Sequence, residues 1–158
     1  MGKTLCFIKI KLNMSKFQTF LICLCLFSCG VDVKAKGKVD PQLRCLAKNI
    51  FHEARGESYE GKVAVALVTL NRVKSKKYPN TICKVVYQPH QFSWTAKEPR
   101  IHDWRLYHKI KALAYNVMTH NVISIIGDSK HYHARNISPY WAKKMKVVAK
   151  IDNHIFYK

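Results

Sequence analysis

The chain has 158 residues, with 28 Lys and Arg against nine Asp and Glu and a formal net charge of +19. Set apart from its leader it is long enough for one domain with a real core and no more. No repeat, low-complexity tract or Pro/Gly-rich linker divides it after residue 36. Residues 1–35 read as a signal peptide or membrane anchor. Lys3, Lys9, Lys11 and Lys16 precede an apolar run from Phe17 to Phe27 that is too short to span a bilayer as a mature helix. Met14 is an alternative start. Val33-Lys34-Ala35 offers a cleavage site, and Leu26-Phe-Ser-Cys29 a rival that would leave Cys29 acylated. Beyond position 30 lie 24 Lys and Arg and all nine acids, a balance of +15. Such charge favours a polyanionic partner. In an exported chain that means anionic wall polymers or a membrane surface, not nucleic acid.

The body, residues 36–158, opens with a helix. Asp40 supplies a capping carboxylate and Pro41 the first helical position. Leu43, Leu46, Ala47, Ile50, Phe51 and Ala54 then form an apolar stripe of helical period, with Gly56 as the expected C-cap. Val63 to Val73 predicts a buried helix capped by Ser58, and a short helix is expected from Pro79-Asn80 through Tyr87. Gln88 to Pro99 reads as an irregular loop. Asp103 caps a helix whose Leu106, Ile110, Leu113, Ala114 and Val117 share a face, and Gly127-Asp128 is a turn. Lys130 to Ala134 predicts a strand, Ser138-Pro139 a last helix to about Lys150, and His154 to Tyr157 a closing strand. The fold class is α+β, mainly helical, with a small antiparallel sheet.

Four of the six cysteines lie in the leader, leaving Cys45 and Cys83 in the body. In an oxidising compartment this pair predicts one disulfide; the alternative is two buried free thiols.

Glu53 is the residue with most to say about chemistry. It sits in the last turn of the first helix beside the buried stripe, where the helix dipole disfavours a carboxylate. Such a place raises a carboxyl pKa, as a general acid near neutral pH requires. The alternative is a surface glutamate paired with Arg55 or Arg44.

Several runs in register resemble one family: His52-Glu-Ala-Arg-Gly-Glu57, Gly61 to Val73 ending Leu-Asn-Arg-Val, and Tyr78-Pro-Asn-Thr-Ile-Cys83. Val85-Val-Tyr-Gln88, Gln91-Phe-Ser-Trp94, His131-Tyr-His133, Pro139-Tyr-Trp141 and Asn153-His-Ile-Phe-Tyr157 continue the match. The body resembles the cell wall hydrolases that include spore-cortex-lytic enzymes and their phage and bacterial homologues. The resemblance implies a lysozyme-like fold of the lytic transglycosylase type. The implied activity is cleavage of the peptidoglycan glycan strand between N-acetylmuramic acid and N-acetylglucosamine, with no metal or cofactor. It makes Glu53 the catalytic acid and base. The protein is expected to act as a monomer in the periplasm or cell wall.

Gln91, Phe92, Ser93 and Trp94 are the expected sugar-binding loop, since aromatic faces pack on pyranose rings and amide and hydroxyl groups bond to sugar hydroxyls. The alternative for Phe92 and Trp94 is core packing. Tyr132, His133, Tyr140 and Trp141 are further groove candidates. Glu57 is the candidate second carboxylate, although a structural pairing with Arg55 or Arg72 is the preferred reading. His131 and His133 share a strand face and, with His52 or His154, offer the ligands for the competing reading of a zinc-dependent amidase or peptidase. The other competitor is a non-catalytic cationic wall-binding module. Asn71 and Arg72 are either buried anchors or substrate contacts. Asp152 stands where family members often carry Gly, which is tolerable if the backbone there is left-handed.

Overall fold

The computed structural model describes residues 40–120 and 122–158; the leader and its cleavage sites lie outside the described residues. Helix α1 runs Pro41–Ala54, begun by the Asp40 carboxylate, which accepts from the Gln42 amide at 2.8 Å. It closes at Arg55 in a right-handed conformation, and the Glu57 amide donates to the Ala54 carbonyl at 3.0 Å. Gly56, expected as a left-handed cap, has no positive φ, because this turn closes without one.

Helix α2, Tyr59–Lys74, is capped by Ser58, whose Oγ accepts from the Gly61 amide at 3.1 Å. Val63 to Val68 are buried without interruption, so α2 is the buried helix that the apolar run predicts. Helix α3 spans only Ile82–Val86, since Thr81 takes the N-cap and leaves Pro79 and Asn80 outside. The following loop contains a 3-10 turn, Ser93–Ala96. Helix α4, Trp104–Thr119, starts at Asp103 as expected and packs on α1 and α2.

Strands β1 (His131–Ala134), β2 (Val147–Ile151) and β3 (His154–Tyr157) form one antiparallel sheet in the order β1-β3-β2. The last strand in the chain is thus the central one, and it inserts the fully buried Phe156 into the helical core. The helix expected over 138–150 is absent. A 3-10 turn, Ala142–Lys144, lies within that span, and the β-branched Val147 and Ile151 pair with β3, leaving Val148 in a register irregularity between Val147 and Ala149.

Two contacts dock the sheet onto the α1–α2 junction. Asp152 has φ 45° and its carboxylate accepts from the Ser58 amide at 2.8 Å and the Ser58 hydroxyl at 2.6 Å. Glu57 accepts from the Asn153 amide at 3.0 Å, so its partner is this turn and not Arg55 or Arg72. The nearer, helix-side pairing loses because Asn153 offers a fixed backbone donor.

A disulfide joins Cys45 on α1 to Cys83 on α3, with Cα atoms 5.2 Å apart across a sequence separation of 38. Closing a loop of that length stabilises by about 3–4 kcal/mol on the chain-entropy account. Replacing both cysteines with Ser is therefore expected to lower the melting temperature by roughly 10 °C. A calorimetric scan showing no shift would contradict this.

Candidate active site

Glu53 reaches inward from the last turn of α1. Its Oε2 accepts from the Tyr132 hydroxyl at 2.9 Å, a bond between residues 79 apart in the chain. Burial raises the Glu53 pKa above its ordinary value; the Tyr132 hydrogen bond and the Arg72 charge oppose that rise without cancelling it.

Glu53 stands where two hollows meet. One, of about 360 Å³, is walled in part by Gln91, Phe92, Ser93, His133, Pro139 and Trp141. The second, of about 430 Å³, is walled in part by Glu57, Arg135, Asn136 and Asn153. They share Glu53, Ala134 and His154. A larger hollow, of about 590 Å³, is walled in part by Phe51, His52 and Arg55 and does not include Glu53.

Gln91, Phe92 and Ser93 line the hollow that contains Glu53, with Phe92 also packed into the hydrophobic core. Trp94 does not. It is 8 % exposed, its Nε1 donates to Asn49 Oδ1 at 3.3 Å, and its ring stacks on His52 at 4.5 Å. A buried indole needs an acceptor, and Asn49 supplies one inside the core. Tyr132 lines the cavity, yet its hydroxyl is committed to Glu53, which makes it a support for the acid more than a platform for sugar.

His133 also lines the cavity with both ring nitrogens engaged, Nδ1 with the Ala134 carbonyl at 2.8 Å and Nε2 with the Tyr157 hydroxyl at 2.7 Å. His131 turns to the Tyr78 hydroxyl at 3.2 Å. Among the described residues no three His, Cys, Asp or Glu side chains converge as a metal site.

Tyr140 is 84 % exposed and outside the cavity. A turn closed by the Ala142 amide on the Pro139 carbonyl directs Pro139 and Trp141 inward and leaves Tyr140 in solvent. Trp141 lines the cavity, its ring 5.7 Å from that of His131 and 5.6 Å from that of His133.

Asn71 is an anchor, donating to the Gly127 and Ser129 carbonyls at 2.9 and 3.0 Å. Arg72 belongs to the cavity. The segment Arg135 to Ile137, which also walls the two hollows, was not anticipated. Its signal is only that a short strand followed by Asn and Ser-Pro must turn over the sheet end.

The described fold is similar to the catalytic domain of the germination-specific lytic transglycosylase SleB from Bacillus anthracis. The TM-score is 0.64 and the identity 29 %, covering 78 % of this chain and 98 % of that one. The catalytic domain of the Bacillus cereus SleB protein matches with a TM-score of 0.63 at 29 % identity, over 74 % and 89 % of the two chains. The spore cortex-lytic enzyme of Bacillus subtilis is 46 % identical over 54 residues, 34 % of this chain and 18 % of that enzyme. That of Oceanobacillus iheyensis is 41 % identical over 61 residues, 39 % and 22 % of the respective chains. The chain thus spans about a fifth of the length of these curated relatives. The cell wall hydrolase family matches residues 56–157, from the glycine of the Glu-Ala-Arg-Gly-Glu run onward and over most of the described fold. The chain belongs to the cell wall hydrolase family.

Proposed function

We propose that the chain is an exported peptidoglycan hydrolase, with residues 1–35 as its leader or anchor and 36–158 as its catalytic domain. It cleaves the glycan strand between N-acetylmuramic acid and N-acetylglucosamine as a lytic transglycosylase. The carrying observation is a half-buried Glu53 with a raised pKa, hydrogen-bonded to Tyr132 at the junction of two hollows.

The chemistry needs one carboxyl group. Neutral Glu53 gives its proton to the glycosidic oxygen as the bond to the sugar C1 breaks, keeping the O–H electron pair as a carboxylate. That carboxylate then takes the proton of the sugar's own 6-hydroxyl while its oxygen bonds to C1, closing a 1,6-anhydro ring. Two-carboxylate hydrolysis needs a second free carboxylate at a set distance. Glu57 lines the neighbouring hollow, but it is held by Asn153, which favours the single-carboxylate route. In this reading Gln91, Phe92 and Ser93 grip the sugar, the protein acts as a monomer without a cofactor, and the +15 body holds it to anionic wall polymers or a membrane surface.

Mass spectrometry of the fragments released from purified peptidoglycan tests the reading. Anhydro-muramyl ends are the expected product. Reducing ends would replace ring closure by water attack, and free stem peptides would overturn the glycosidase reading altogether.

A further inference from the structure

Arg72 is a buried cation without a counterion. It is 6 % exposed, and none of the ion pairs among the described residues includes it. Its Nε donates to the Lys130 carbonyl at 2.8 Å, and its guanidinium carbon lies 5.4 Å from the ring centroids of both Tyr78 and Phe92. Its Nη1 is buried without a hydrogen-bond partner. Burying a guanidinium is unfavourable unless charge or hydrogen bonds compensate. Two aromatic faces, one carbonyl and the negative end of α2 supply part of that compensation. The remaining field falls on the cavity that Arg72 shares with Glu53.

We propose that Arg72 is a positioning residue for the acid–base cycle: a fixed positive charge that stabilises the Glu53 carboxylate formed when the proton is given up. The inference rests on the single-carboxylate reading above. The separation matters. A direct ion pair would pull the Glu53 pKa down and weaken the acid, whereas a charge held back by Tyr78 and Phe92 leaves the rise caused by burial in place and still favours the anion once it forms. The other ionisable groups around Glu53 do not duplicate this role. Tyr132 on β1 is neutral and donates one hydrogen bond. His133 is engaged by Tyr157, and His154 on β3 is kept uncharged by burial. Glu57 is tied to Asn153, and Arg135, in the second hollow, is exposed to solvent that screens it.

The test is a carboxyl-carbon NMR titration of Glu53 in the native protein, Arg72→Lys and Arg72→Gln. Loss of the charge in Arg72→Gln is expected to move the Glu53 titration upward, with Arg72→Lys staying near the native curve. The alkaline limb of the pH–rate profile moves with it, and kcat falls about tenfold while KM changes little. An unmoved Glu53 titration in Arg72→Gln overturns the proposal.

Because Arg72 also braces Lys130 and two rings, a second measurement leaves it in place. The Arg72 side-chain nitrogen shift should inflect at the Glu53 pKa in the native protein and lose that step in Glu53→Gln. A native trace with no step at that pH also overturns the proposal. Both titrations read out without turnover. A native protein that fails to cut glycan would sink the proposed function while leaving this coupling measurable.

Discussion

Glu53→Gln is expected to slow glycan cleavage by roughly 10²- to 10⁴-fold, the usual worth of a positioned acid or base, and to melt at a higher temperature than the native protein at pH 7. Both effects have one cause. Burial holds the Glu53 pKa above its ordinary value of 4.5 in the folded state. Between 4.5 and the folded pKa, the folded protein retains a proton that the unfolded chain has lost. Stability therefore falls as pH rises through that window, and above it the full cost of a buried carboxylate is present. Gln keeps an acceptor for Tyr132 and removes the charge. Its advantage in melting temperature should be largest at neutral pH and vanish at pH 4. Calorimetry at the two pH values, beside turbidity clearance of purified peptidoglycan, checks both halves. An equal advantage at both pH values, or retained clearance, would refute the assignment of Glu53.

The features that could be read from sequence are those whose causes are local. Asp40, Ser58 and Asp103 each cap the helix that follows, and the stripe from Leu43 to Ala54 places Glu53 without reference to any distant residue. The features that could not be read depend on distant partners. Ala, Lys and Met across 142–146 favour a helix, but pairing of 147–151 with β3 overrides them. Trp94 looks like a sugar platform until Asn49, 45 positions earlier, is found beneath it. The Glu57 carboxylate is claimed by Asn153, 96 residues away, and Glu53 by Tyr132. Tyr140 and Trp141 are neighbours of similar chemistry, and only the turn closed at Pro139 decides which one faces the cavity. Asp152 is intermediate. Its left-handed backbone followed from a Gly expected at its place, but the Ser58 bonds that suit Asp to that position did not.

Gly61→Ala should be the most damaging small substitution outside the core, with a loss of about 2 kcal/mol and a melting temperature lower by roughly 6–10 °C. In an ordinary helix the same change stabilises by up to about 1 kcal/mol. Here the sign reverses because α2 begins against the sheet. A Cβ on Gly61 would stand 2.8 Å from the Glu57 Cβ and collide with the Asp152 carboxylate. Neither can retreat easily: Asp152 is held by two bonds to Ser58, Ser58 in turn caps Gly61, and Glu57 is held by Asn153. Relief must come from moving the turn between β2 and β3, which carries Asn153 and leads into His154, two walls of the hollow beside Glu53. Cleavage should therefore fall with stability, even though Gly61 is not among the residues that line either hollow. Gly56→Ala is the control, since a Cβ there meets nothing within 4 Å and no positive φ is required. That variant should melt within about 1 kcal/mol of the native protein, on the stable side if it differs at all. Equal melting of the two variants would mean that the junction yields, and that the turn does not hold the Glu53 cleft in place.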